Sequence, residues 1–165
     1  MLKQWLFIVL LLISSSIYAA DDVANQAIHK ELRILLQGIE TAVNTETYGD
    51  LKAYFDEKLH VTTINQNVIT TPEGIDTYFK EWFGKGGYLK KLDLKLNADT
   101  LTHLYPNAVN PSWGLVYGSG VENYQLTDGR FLPMKTRWTA TVIKEPNGKW
   151  RILALIFTII QFLMR

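Results

Sequence analysis

The chain has 165 residues, 47% of them hydrophobic, and no cysteine. Such a length and apolar content suit one domain with a proper core, and the missing thiols exclude disulfides, thiol nucleophiles, iron–sulfur sites and a lipidated amino-terminal cysteine. Lys plus Arg number 17 against 16 Asp plus Glu, a balance that gives no electrostatic basis for binding nucleic acid or an anionic membrane.

Met1–Ala20 carries one lysine, an apolar run from Trp5 to Ile13, then small polar residues and alanines. It reads as a secretory signal peptide cut after Ala19, the run being short for a bilayer span of about 20 residues. The expectation is a leader over residues 1–19, one domain over 20–165, and a periplasmic or secreted bacterial protein with no stable membrane span; the alternative is a leader kept as an anchor.

From Asp21 the spacing turns helical, with Ile28, Leu32, Leu35, Ile39 and Val43 in one apolar stripe. A second short helix is expected after Thr47 as cap, with Leu51, Tyr54, Phe55 and Leu59 pointing inward. His60–Thr71 reads as a small hairpin turning at Asn65-Gln66-Asn67. Pro72-Glu73 opens a third helix, proline being tolerated in a first turn, with Tyr78, Phe79, Trp82 and Phe83 on its buried side and Gly84, Gly86 and Gly87 at its end. Leu89–Ala98 alternates as a strand with one wet face after a shift near Lys90, and Tyr105–Ser112 reads as a loop.

Trp113–Leu126, Met134–Lys144 and Trp150–Ile160 are rich in β-branched and aromatic residues and are joined by turns holding Asp128-Gly129 and Asn147-Gly148. They predict a three-stranded antiparallel meander. If both turns are two-residue loops, Arg137 faces Thr158 and Gly120, Thr139 faces Ile156, and Lys135 faces Glu122. One side of the sheet would then carry Glu122, Tyr124, Arg137, Thr139, Ile156 and Thr158, and the other Trp138, Ala140, Leu153, Leu155 and Phe157; a single bulge would swap part of this. Helices segregated from an antiparallel sheet make an α+β architecture, with three helices covering the concave face of a curved, cone-shaped sheet.

Pro72–Asp76, Tyr117-Gly118-Ser119-Gly120 running into Asp128-Gly129, Arg137-Trp138-Thr139 and Asn147–Ile152 occur in an order that resembles a SnoaL-like member of the nuclear transport factor two-like superfamily. The resemblance covers Asp21 to Ile160. It implies a cone whose open end is a pocket, often paired into dimers through the outer sheet face, and it implies a pocket histidine on the last strand at the position occupied here by Ile156. An isoleucine cannot move a proton, while Thr158 keeps the hydroxyl of that pattern.

The candidate pocket residues are therefore Tyr54, Trp82, Glu122, Tyr124, Arg137, Thr139, Ile156 and Thr158. A guanidinium in a sheet covered on both sides needs a carboxylate or a ligand, so Arg137 is expected either to orient an anionic or carbonyl-bearing ligand or to form a structural pair with Glu122. Asp56 and Glu122 are the candidate catalytic carboxylates. His29, His60 and His103 lack a second ligand at metal spacing, so neither metal nor cofactor is expected. The leading expectation is an exported homodimer, paired through the face of Trp138, Ala140, Leu153, Leu155 and Phe157, that binds a small, largely apolar or carbonyl-bearing ligand. Its alternatives are an isomerase, cyclase or hydrolase using a pocket carboxylate, and a protein-interaction module. A buried carboxylate free of arginine would favour the enzyme; a pocket filled by Trp82 and Tyr124 would favour the interaction module.

Overall fold

In the computed structural model, residues 26–107 and 109–162 are described. The predicted leader, the first turn of the predicted first helix at Asp21–Val23 and the tail at Leu163–Met164 lie outside them. Residues 26–44 form helix α1, whose buried side carries Ile28, Leu32, Leu35, Ile39, Ala42 and Val43. A 3-10 helix follows at Tyr48–Tyr54, then strand β1 (Phe55–Thr62), the two-residue β2 (Val68–Ile69), helix α2 (Pro72–Phe83) and strands β3 (Leu89–Tyr105), β4 (Trp113–Leu126), β5 (Phe131–Lys144) and β6 (Trp150–Phe162). The architecture is α+β: a curved, unclosed six-stranded sheet in the order β2-β1-β6-β5-β4-β3, with the helices on its inner face.

The predicted hairpins form, but β1 runs parallel to β6, so the sheet is mixed. Phe55 and Leu59 are buried as expected, yet on a strand and not on a helix. Their four-residue spacing imitates a helical stripe because β1 slips against β6 between Phe55 and His60. The helix before it is correspondingly short, and Thr47 makes no side-chain cap to it. Thr71 does cap α2, accepting from Gly74 N at 3.2 Å, with Pro72 in the first turn.

Both long turns are three-residue loops, not two. Gly129 N donates to Leu126 O at 3.0 Å and Leu126 N to Arg130 O at 2.8 Å, with Gly129 at φ +89°. The second turn repeats this between Glu145 and Lys149, with Gly148 at φ +84°. A turn closed by a left-handed glycine adds one residue to the loop. In β4–β5 that moves the register by one, so Arg137 faces Ser119 and Glu122 faces Met134. In β5–β6 a bulge that leaves Leu153 without a partner, between Ile152 and Ala154, cancels the added residue. Arg137 therefore faces Thr158 and Thr139 faces Ile156, as expected, although neither loop has the expected length.

One slip moves every side chain of a strand to the other face. Glu122 and Tyr124 share the inner face with Met134, Thr136, Trp138, Ala140, Leu155 and Phe157, whereas Arg137, Thr139, Ile156 and Thr158 lie on the outer face. Of the residues expected to form an outer dimerisation face, Trp138, Ala140, Leu155 and Phe157 thus pack inward, with Trp138 4% and Leu155 7% exposed, while Leu153 sits at the bulge.

Helix α1 is tied to the rest by side chains that complete backbone pairing. Asn44 Nδ2 donates to Leu94 O at 2.8 Å and Asn44 Oδ1 accepts from Leu94 N at 2.7 Å, while Glu40 Oε2 accepts from Leu96 N at 2.8 Å. These contacts occupy part of the free edge of β3, where unpaired peptide groups would otherwise invite another strand. Trp150 Nε1 donates to Glu31 Oε2 at 3.0 Å at the other end of the helix.

Candidate functional site

Between α1, α2 and the inner face of the sheet lies a cavity of about 100 Å³. Ile39, Phe55, Leu92 and Leu155 make most of its wall apolar, and Thr63, Tyr78, Glu122 and Tyr124 supply its polar groups. The last turn of α2 brings Trp82 and Phe83 to the lining, where Tyr78 and Trp82 sit 6.1 Å apart and tilted. Tyr78 donates weakly to Asn65 Oδ1 at 3.4 Å, and Thr63 Oγ1 donates to the same oxygen, so the β1–β2 turn borders the cavity.

Glu122 is 3% exposed. Its Oε2 accepts from the Tyr124 hydroxyl at 2.5 Å, while among the described residues its Oε1 and the buried Thr136 Oγ1, although the two groups are neighbours, make no hydrogen bond of good geometry. Burial pushes the Glu122 carboxyl above the usual carboxylate range, opposed in part by the hydroxyls of Tyr124 and Thr136. Burial and then the facing Glu122 push the Tyr124 phenol up as well, and burial raises Tyr78. Among the described residues no lysine, arginine or histidine lines the cavity. Only hydroxyls offset the cost of an anion there, so the arrangement shifts Glu122 toward the protonated acid, whose Oε1–H could be donated to a ligand oxygen.

Of the predicted pocket residues, the fold brings Trp82, Glu122 and Tyr124 together. Tyr54 does not line the cavity; its ring lies across Gly38, where an added Cβ would come within 2.5 Å of it. Asp56 is half-buried on β1 and accepts from Lys58 N at 2.8 Å, away from the cavity wall. The expected Glu122–Arg137 pair does not form. Arg137 reaches Asp99 on the outer side, at 2.6 and 3.3 Å, and its side chain is 48% exposed, so it needs no buried counter-charge. Thr139, Ile156 and Thr158 accompany it there, Ile156 being 50% exposed. The sequence reading missed Thr63, which lines the cavity, and Thr136, which is buried beside Glu122. A three-residue reading of the Asp128-Gly129 turn would have placed Thr136 opposite Gly120, two residues from Glu122. Among the described residues no group of three His, Asp or Glu is placed to hold a metal.

No protein-family profile and no curated protein matches this chain. Solved structures do match in fold. A provisionally assigned scytalone dehydratase from Novosphingobium aromaticivorans is 12% identical, with a TM-score of 0.69 over 86% of this chain and 89% of that one. A hexachlorocyclohexane dehydrochlorinase of Novosphingobium barchaimii is 14% identical, with a TM-score of 0.68 over 86% of this chain and 92% of that one. A ketosteroid isomerase-like protein from Erwinia carotovora atroseptica is 11% identical, with a TM-score of 0.64 over 78% and 93% respectively. With its curved sheet and its helices over the concave face, the chain shares the α+β fold of these structural neighbours, which is the fold that the SnoaL-like resemblance implied.

Proposed function

We propose that this is an exported pocket protein whose ligand is a small, largely apolar molecule with one carbonyl or ether oxygen. The observation that carries the reading is the unpartnered Oε1 of the buried, raised-pKa Glu122. A donor left unpaired in an apolar cavity costs about 1–3 kcal/mol, which an acceptor oxygen on a ligand would recover. Size limits the ligand. Apolar cavities of roughly 150 Å³ hold benzene, so a cavity of about 100 Å³ suits one small ring unless Trp82 or Phe83 gives way. The leader-like residues 1–19 support export. A homodimer would use the outer sheet face, where Ile156 and Ile160 are 50% and 57% exposed, because the side chains first expected to carry it turn inward.

A second reading is favoured by the absence of any cation among the described residues that line the cavity beside Glu122: a carboxyl with a raised pKa is fitted to give a proton to a substrate, as a general acid in an isomerisation or elimination. The fold neighbours include a dehydrochlorinase and an isomerase-like protein, which is consistent with that reading. Titrating the protein with cyclopentanone, cyclopentane and phenol tests the binding reading. Tighter binding of the ketone than of the hydrocarbon, with the preference abolished in Glu122→Ala, is expected; equal binding of both by the unaltered protein would overturn it.

A further inference from the structure

A second cavity, of about 540 Å³, opens between α1 and the inner face of the sheet. Val116 is its residue from β4, about 20 Å along that strand from Glu122 at roughly 3.3 Å per residue. It adjoins the smaller cavity through Ile39, Leu155 and Phe157, which line both, but extends away from Glu122, and its volume falls within the range of roughly 300–1,000 Å³ typical of small-molecule sites.

Its floor is apolar and fixed. The Trp138 indole lies flat across Gly118, where a Cβ would come within 2.0 Å of the ring, and its Nε1 donates to Ser119 O at 3.0 Å. Ala140 and Leu155 extend this floor toward β6. Because Ala140 is small and Trp138 is held down, the space above them is not filled from the sheet side. The wall facing them carries His29, Arg33 and Gln37, spaced four apart on α1 and so aligned along one side of it.

The charge of this wall is unbalanced. Asp99, the acid that borders the cavity, is already held by Arg137 from the outer side at 2.6 Å. Among the described residues Arg33 makes no ion pair and no hydrogen bond, and it remains exposed at the mouth. An apolar floor with a solvated guanidinium at its rim matches a molecule with a greasy tail and a negative head. A cationic head would be repelled by Arg33, and a neutral one would gain nothing from it.

We propose that this cavity binds an aliphatic monocarboxylate, its tail over Trp138, Ala140 and Leu155 and its carboxylate on Arg33. Isothermal titration of the full chain with dodecanoate, dodecan-1-ol and dodecylammonium, each kept below its micelle concentration, tests this. The expected result is a single dodecanoate site about tenfold tighter than that of the alcohol, with dodecylammonium weakest. Arg33→Glu, on an exposed helix surface where folding is not at stake, is expected to cost dodecanoate about tenfold, and Ala140→Phe to remove all three ligands. Glu122→Gln should leave dodecanoate affinity within about twofold, which separates this site from the smaller cavity. Equal binding of acid and alcohol, no dodecanoate binding, or an Arg33→Glu protein that binds dodecanoate as before would overturn the proposal.

Discussion

The Tyr124 hydroxyl and the Glu122 carboxyl meet at 2.5 Å inside an apolar cavity, with one carboxyl oxygen satisfied and the other free. They are i and i+2 on one strand and so share a face, which lets one hydroxyl orient the acid without a charged partner. Burial raises the pKa of this carboxyl, and the hydrogen bond from Tyr124 works against that rise.

Glu122 should make stability depend on pH in a definite direction. Its folded-state pKa is raised above that of the unfolded chain, so below the ordinary carboxylate range both states are protonated and its contribution is fully present. As pH rises through that range the unfolded chain ionises first. Stability is then lost until the raised folded value is passed, and levels off beyond it. Melting temperatures measured across this interval should fall in the unaltered protein relative to Glu122→Gln. Parallel curves for the two proteins would contradict the assignment.

Arg137→Ala should cost little. Its partner is Asp99, the pair is 48% and 28% exposed at the side chains, and such pairs contribute about 0–1 kcal/mol. Urea denaturation should show a shift within that interval. A loss of several kcal/mol would mean that the guanidinium serves a buried group after all.

Gly118→Ala is expected to be far more disruptive than its size suggests. A methyl group there would lie 2.0 Å from the Trp138 indole and 2.4 Å from Asn97 O, and the second of these is backbone that cannot swing away. Overpacking of this kind costs about 1–3 kcal/mol. The same experiment, read by indole fluorescence, should report a displaced Trp138.

Asn44→Ala should destabilise by about 1–3 kcal/mol, because it removes both hydrogen bonds to the Leu94 backbone and leaves peptide groups unpaired between α1 and β3. Hydrogen exchange at the Leu94 amide should quicken correspondingly. Unchanged exchange would show that the edge of β3 is protected by other means.

Much of this fold was legible in the chain because its signals are local. The Pro72-Glu73 start of α2, the apolar stripe of α1, the slip near Lys90 and the glycine turns all appear where the sequence places them. The parallel pairing of β1 with β6 was not legible, since it joins segments almost a hundred residues apart and leaves no local mark. The site was half legible. Glu122, Tyr124 and Trp82 converge as expected, while Arg137, Thr139, Ile156 and Thr158 fall on the far side through a single extra residue at Thr127-Asp128-Gly129. Asp-Gly serves two- and three-residue loops alike, so only the register itself decides which face a side chain takes.

The titration of Glu122 is the most direct test. Infrared difference spectra of the unaltered protein against Glu122→Gln, taken across a pH series, should contain a protonated-carboxyl C=O band that persists to higher pH than that of an exposed carboxyl before it gives way to carboxylate bands. A band lost within the ordinary carboxylate range would show that burial does not raise this group, and the protonated donor and proton source assigned to it would then fall.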